Sequence, residues 1–149
     1  MDYNEMSVKF KAISANEGFA RVCIAAFLSE YNPTIDEIGD IKTAISEAVT
    51  NCVVHAYPKG VIGDVEMYVQ VNNGEVYISI SDNGIGIDDI EQAKQPFYTS
   101  KPNSDRSGMG FTVMEGFMDT LSITSGHNKG VKVEMTKRLG EGSNVAFGG

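Results

Sequence analysis

Val65-Glu66-Met67-Tyr68-Val69-Gln70-Val71-Asn72-Asn73-Gly74-Glu75-Val76-Tyr77-Ile78-Ser79-Ile80 alternates apolar and polar residues on both sides of an Asn-Gly pair. A period of two puts Val65, Met67, Val69 and Val71 on one face of a strand, and Val76, Ile78 and Ile80 on the same face coming back. Asn73-Gly74 suits the two-residue turn in which both central residues take positive φ. The stretch therefore predicts an antiparallel hairpin with one buried face, and that face needs a second layer to cover it.

The cover is legible upstream. Thr34 can cap a helix that begins at Ile35 and stops before Pro58, with Ile38, Ile41, Ile45, Ala48 and Cys52 as its apolar stripe. Before the Asn32-Pro33 break, Ser14 and Glu17 have the spacing of a capping box for a helix over Ala15–Glu30. Phe19, Val22, Cys23, Ala26 and Phe27 form its expected inward stripe, which leaves Arg21 facing solvent. Ser7 to Ile13 alternates as a short strand. Downstream, Asp82 to Gly86 follows the hairpin, and 88–109 reads as a long loop, a length that usually signals function. Phe111, Met114, Phe117 and Met118 mark a short helix. Leu121 and Ile123, then Val131, Val133 and Met135, mark two strands around a turn that contains His127. The order β, α, α, β, β, loop, α, β, β predicts an α+β two-layer sandwich with a mixed, mainly antiparallel sheet covered on one face by helices. One domain is expected over 1–149, with its core at about 4–139 and no usable pattern in 141–149.

Twenty Asp+Glu against twelve Lys+Arg give a formal charge of -8. That balance argues against non-specific binding to nucleic acid or anionic membranes. The polar, acidic start Met1-Asp2-Tyr3-Asn4-Glu5 lacks the features of a signal peptide, and no apolar run approaches the length of a bilayer span. Cys23 and Cys52 sit in apolar helical patterns and read as buried free thiols in a reducing cytoplasm. No Cys/His spacing suggests zinc.

Three local features carry chemistry. Glu47, Asn51 and His55 lie at i, i+4 and i+8 on one helix side. An Asn carbonyl oxygen suits a hard cation, and a Glu one turn away can accept a proton from an attacking hydroxyl. Asp82-Asn83-Gly84-Ile85-Gly86 ends a strand with a carboxylate able to accept from an exocyclic amine such as adenine's, and its glycines permit close approach to a flat ring. Arg106-Ser107-Gly108-Met109-Gly110 runs into a helix start, where free N–H groups favour phosphate. Taken singly, these are also what a solvated helix face, a Gly-rich turn and an ordinary helix start look like.

In their order and on these elements, Glu47…Asn51, Asp82-x-Gly84-x-Gly86 and Gly108-x-Gly110 resemble the Bergerat-fold ATPases and kinases. The continuation His55-Ala56-Tyr57-Pro58 and the lid opening Gln95-Pro96-Phe97-Tyr98-Thr99-Ser100-Lys101 look like the anti-sigma serine kinases of the sporulation F type, over about Asn4 to Leu139. The resemblance implies ATP and Mg²⁺ as cofactors and Glu47 as general base. It gives Asn51 the metal, and Asn51, Asp82, Gly84, Gly86, Thr99, Lys101, Arg106, Ser107, Gly108, Met109 and Gly110 the nucleotide. It implies a homodimer that binds a sigma factor and phosphorylates an anti-anti-sigma antagonist on serine. Arg21, off the apolar stripe of its helix, is a candidate for the partner surface because Arg is a frequent interface anchor, and a plain solvated Arg is the alternative. A lid over 92–107 should order with nucleotide. Alternatives are a histidine-kinase catalytic fragment, although His55 and His127 sit on no spare helix, and a module that holds ATP without turnover. One departure is Val131, where the superfamily commonly has Thr, so a hydroxyl near adenine is missing or supplied elsewhere.

Overall fold

A computed structural model describes residues 3–87, 89–94, 110–126 and 128–140. Five strands form one sheet: β1 (Tyr3–Lys11), β2 (Asp64–Asn72), β3 (Glu75–Asp82), β4 (Thr120–Ser125) and β5 (Val131–Arg138), in the order β1-β2-β3-β5-β4. Among the described residues all four pairings are antiparallel, in place of the mixed, mainly antiparallel sheet expected from sequence. The helices are α1 (Ala15–Leu28), α2 (Ile35–Asn51), α3 (Ile90–Ala93) and α4 (Gly110–Phe117). The short α3 falls in what the sequence presented as loop; Asp89 caps it by accepting from the Gln92 amide at 3.0 Å.

The hairpin register is the one the alternation requires. Val71 faces Val76, Val69 faces Ile78 and Met67 faces Ile80. Asn73 and Gly74 both take positive φ, 51° and 85°. All seven inward side chains of the hairpin are buried, and they meet Ile41, Ile45, Ala48 and Val49 of α2. Each such side chain contributes about 1.5–3 kcal/mol. Tyr68 and Tyr77 point to the other face, where Tyr77 donates to Glu134 at 2.5 Å. Burial and that carboxylate push the Tyr77 phenol up to about 12. Among the described residues no helix is long and apolar enough to cross a membrane.

Two helix-level expectations are corrected. Ser14 does not close a capping box: it is itself in right-handed helical geometry and makes no side-chain cap bond. The first amides are met instead by main-chain carbonyls, Asn16 by Ile13 and Glu17 by Ser14. The buried stripe of α1 is Ala20, Ile24 and Leu28, whereas Phe19 and Val22 are 45% and 68% exposed. The face that α1 turns to the core is thus set by Ile24 and Leu28 with the small Ala20 in line, and not by the larger Phe19 and Val22. Arg21 accordingly does not face open solvent. It is half-buried and donates to Ser46 Oγ on α2 at 3.0 Å, lining a groove with Gly18, Val22, Ala25, Ala26 and Lys42.

Thr34 caps α2 as expected. Its hydroxyl accepts from the Glu37 amide at 3.0 Å while Glu37 accepts from the Thr34 amide at 2.8 Å, a full capping box. The far end does not simply stop. Cys52–Ala56 continues the helix as a π turn before Tyr57 becomes extended. The wider turn takes His55 off the Glu47–Asn51 line.

Candidate functional site

Asp82 continues the inward series Val76, Ile78, Ile80 of β3, so the alternation places a carboxylate where an apolar side chain would pack. It is only 7% exposed. Its Oδ1 accepts from the amides of Gly84 at 2.9 Å and Val131 at 3.2 Å. Burial raises the Asp82 pKa, opposed by the Gly84 amide, a hydrogen bond from the Cys52 thiol and the Val131 amide. The same burial and the Asp82 charge push the Cys52 thiol well up. The bond from Val131 is main-chain, so the Thr-to-Val departure spares it.

The loop after Asp82 is tied down along its length. Gly84 lies on the Ala56 carbonyl and Gly86, at φ 81°, on the Gly126 carbonyl; a Cβ at either would overlap those atoms. Gly130 crosses the Asp82 carbonyl just as closely, and its place in a Gly-rich turn is the signal for it in the sequence. The Ile85 amide donates to Ala56 O at 2.8 Å, Asn128 to Ile85 O at 2.7 Å and Gly130 to Gly84 O at 3.1 Å. Ser125 Oγ accepts from the Ile87 amide at 2.7 Å and donates to Gly130 O at 2.6 Å. The Asp82–Gly86 segment is thus held by the end of α2 on one side and the β4–β5 turn on the other.

Glu47 and Asn51 leave the flank of α2 half-buried. Both side chains converge on Gly110, the first residue of α4. A Cβ there would lie 3.2 Å from Asn51 Nδ2, 3.3 Å from Oδ1 and 3.4 Å from Glu47 Oε1. The second glycine of the Gly108-x-Gly110 pair therefore keeps open the spot where a carboxylate and a carboxamide meet a helix start. A hard cation and an anionic group fit such a set: Asn51 offers a neutral oxygen, Glu47 a carboxylate, and the start of α4 N–H groups.

The structure thus brings together Glu47, Asn51 and Gly110 at one point, and Asp82, Gly84 and Gly86 at the strand end beside the same helix. Arg21 lies apart, on the α1–α2 groove. Thr99, Lys101, Arg106, Ser107, Gly108 and Met109, with most of the expected lid, lie outside the described residues, as do His127 and 141–149.

A family model described as "Histidine kinase-like ATPase domain" matches residues 11–137. An anti-sigma F factor from Clostridium beijerinckii is 53% identical over 139 residues, 93% of this chain and 97% of that protein. One from Bacillus licheniformis is 49% identical over 136 residues, 91% of this chain and 93% of that protein. Among solved structures, that of the RsbU and RsbW domains of Rv1364c from Mycobacterium tuberculosis aligns with a TM-score of 0.68 at 23% identity, covering 91% of this chain and 32% of that one. The mycobacterial sensor histidine kinase MprB aligns at 0.56 and 16% identity, covering 91% and 98%. These two likenesses concern the fold.

Proposed function

The chain belongs to the anti-sigma F factor family within the histidine kinase-like ATPases, and from that premise we propose that it is an ATP- and Mg²⁺-dependent protein-serine kinase that also binds and inhibits a sigma factor. Its substrate is an anti-anti-sigma antagonist, phosphorylated on serine, and its working form is a homodimer in the cytoplasm. The observation that carries the kinase reading is the convergence of Glu47 and Asn51 on Gly110.

In this reading Asp82 accepts from the adenine amino group, and the glycines of its loop let the backbone lie against the base. Asn51 holds Mg²⁺ through its side-chain oxygen. Mg²⁺ bound there would supply charge neutralisation to the phosphates. Glu47, one turn earlier on α2, orients the serine hydroxyl and takes its proton. Thr99, Lys101, Arg106, Ser107, Gly108 and Met109 belong to the phosphate and lid side of the same proposal. Arg21, already tethered to Ser46 and flanked by Val22 and Lys42, is assigned to the partner surface, where a pre-ordered Arg is a favoured anchor.

The reaction is tested by incubating the protein with γ-labelled ATP and its co-purified antagonist. Label on the antagonist that resists acid and is removed by base is the expected result. Acid-labile label would mean phosphohistidine instead, and no transfer would leave an ATP-holding module. The metal role has its own test by calorimetry. Asn51→Ala should weaken Mg·ATP binding about 10- to 100-fold, the value of one charge-assisted contact, and leave Mg-free nucleotide binding unchanged. Equal binding of Mg·ATP by variant and wild type would reduce Asn51 to a helix-face residue.

A further inference from the structure

Three consecutive amides of the loop after β3 have three different partners. Gly84 N donates to Asp82 Oδ1 and Ile85 N to Ala56 O. Asn83 N donates to the Tyr57 hydroxyl at 2.9 Å. That hydroxyl in turn donates to Asp64 O, at the start of β2, at 2.6 Å. Its single proton is committed to Asp64, so its oxygen is left to accept from Asn83. Burial raises the Tyr57 pKa, which keeps the proton in place at neutral pH.

The ring is seated as firmly as the hydroxyl. Gly63 lies against it so closely that a Cβ there would overlap Cζ, Cε1 and Cδ1. Tyr57 is also the residue at which the π turn ends and the chain becomes extended. The phenol is therefore held between the end of α2, the start of β2 and the nucleotide loop.

The Asn83 amide belongs to the peptide unit whose carbonyl is that of Asp82. That carbonyl is pressed against Gly130. One peptide plane is thus gripped at both ends, by Gly130 on its oxygen and by Tyr57 on its nitrogen. The rotation of this plane about the Asp82 Cα–C bond is the backbone angle ψ of Asp82, and it carries the Gly84 amide that holds Oδ1, so it sets where the carboxylate is anchored.

We propose that Tyr57 is a positioning residue for base selection: by holding the Asn83 amide it fixes the presentation of the Asp82 carboxylate, and so sharpens the preference for adenine over guanine. The inference rests on the nucleotide-site reading above and adds a residue to it. Among the described residues the Tyr57 hydroxyl bonds to Asp64 and Asn83, at the base end of the site, so its effect belongs there.

Tyr57→Phe keeps the ring on Gly63 and removes only the hydroxyl. The affinities of wild type and variant for ATP, ADP and GTP are measured by calorimetry, with melting temperatures alongside. The expected result is an ATP affinity about fivefold weaker, from one lost hydrogen bond in the site. The ATP-to-GTP ratio should narrow by a similar factor and the ATP-to-ADP ratio stay unchanged. Gly63→Ala, which displaces the ring itself, should narrow the ATP-to-GTP ratio in the same direction. Loss of folded population alone scales all three affinities together and leaves both ratios untouched. Equal ATP-to-GTP ratios in wild type and Tyr57→Phe overturn the role of Tyr57 while the site reading stands. A wild type that does not itself prefer ATP overturns base reading by Asp82, and this proposal with it.

Discussion

Glu47→Ala is expected to slow phosphoryl transfer to the antagonist by about 10²–10⁴-fold, with nucleotide and sigma-factor binding nearly intact. Glu47 sits one helical turn before Asn51, and both reach the same point at Gly110. From there a carboxylate can orient a serine hydroxyl and remove its proton. Phosphoryl transfer passes through a loose transition state, so positioning and charge stabilisation do most of the work. A general base therefore adds a bounded factor and not the whole rate. Glu47→Gln separates the two parts of the role, because it keeps the shape and an acceptor oxygen but not the basicity. Single-turnover transfer at saturating ATP is the measurement. A normal rate in Glu47→Ala would remove the base assignment, and loss of ATP binding would make Glu47 structural.

Asp82→Asn is the second large change. Two amides hold Oδ1, so an Asn would keep its own oxygen there and turn its NH₂ toward the base. A donor then faces the adenine amino group, and ATP affinity should fall about 100-fold, as expected when a site's buried polar group is left facing the wrong partner. Guanine presents a carbonyl there, so GTP should lose less or gain. The free protein should respond in the opposite sense. Burial raises the Asp82 pKa, so the folded state holds this proton more tightly than the unfolded chain does. The group favours folding most below its unfolded pKa, and that contribution is lost as pH rises through the raised folded value. At neutral pH the ionised carboxylate is a net cost, and Asp82→Asn should raise the melting temperature of the nucleotide-free protein. In wild type, ATP affinity should weaken as pH falls through the raised Asp82 pKa. Calorimetry with ATP and GTP, together with melting curves, checks both halves. An Asn variant that binds ATP normally would remove Asp82 from base recognition.

How far the sequence reached differs between fold and site. The hairpin register was legible because a one-residue slip would turn every one of seven apolar side chains outward. The α2 stripe was legible for the same kind of reason, a long amphipathic period. The inward face of α1 was not. Phe19 and Val22 suggested the core by size, but the buried line runs through Ala20, Ile24 and Leu28, a choice made by what the helix packs against and not by α1 alone. Ser14 had the right spacing for a cap but not the backbone conformation one requires. At the site, each motif was visible locally and their order gave the family. Their convergence was not visible, because Gly110 meets Glu47 and Asn51 only through the packing of α4 on α2. Tyr57 carried no local signal of its role, since its hydroxyl reaches residues 7 and 26 positions away.

The wide turn at Cys52–Ala56 has a consequence for chain length. A regular α-helix advances about 1.5 Å and turns about 100° per residue. Deleting one residue here would let the helix end in ordinary winding, yet it would draw Ala56 and Tyr57 back by about that step. Both would then miss the amides they hold, Ile85 and Asn83. The surplus residue is a spacer that sets where the helix lands. Natural variation in this family should therefore put its insertions and deletions on either side of this turn, in Lys59–Ile62 for instance, and hold the count from Asn51 to Tyr57 constant.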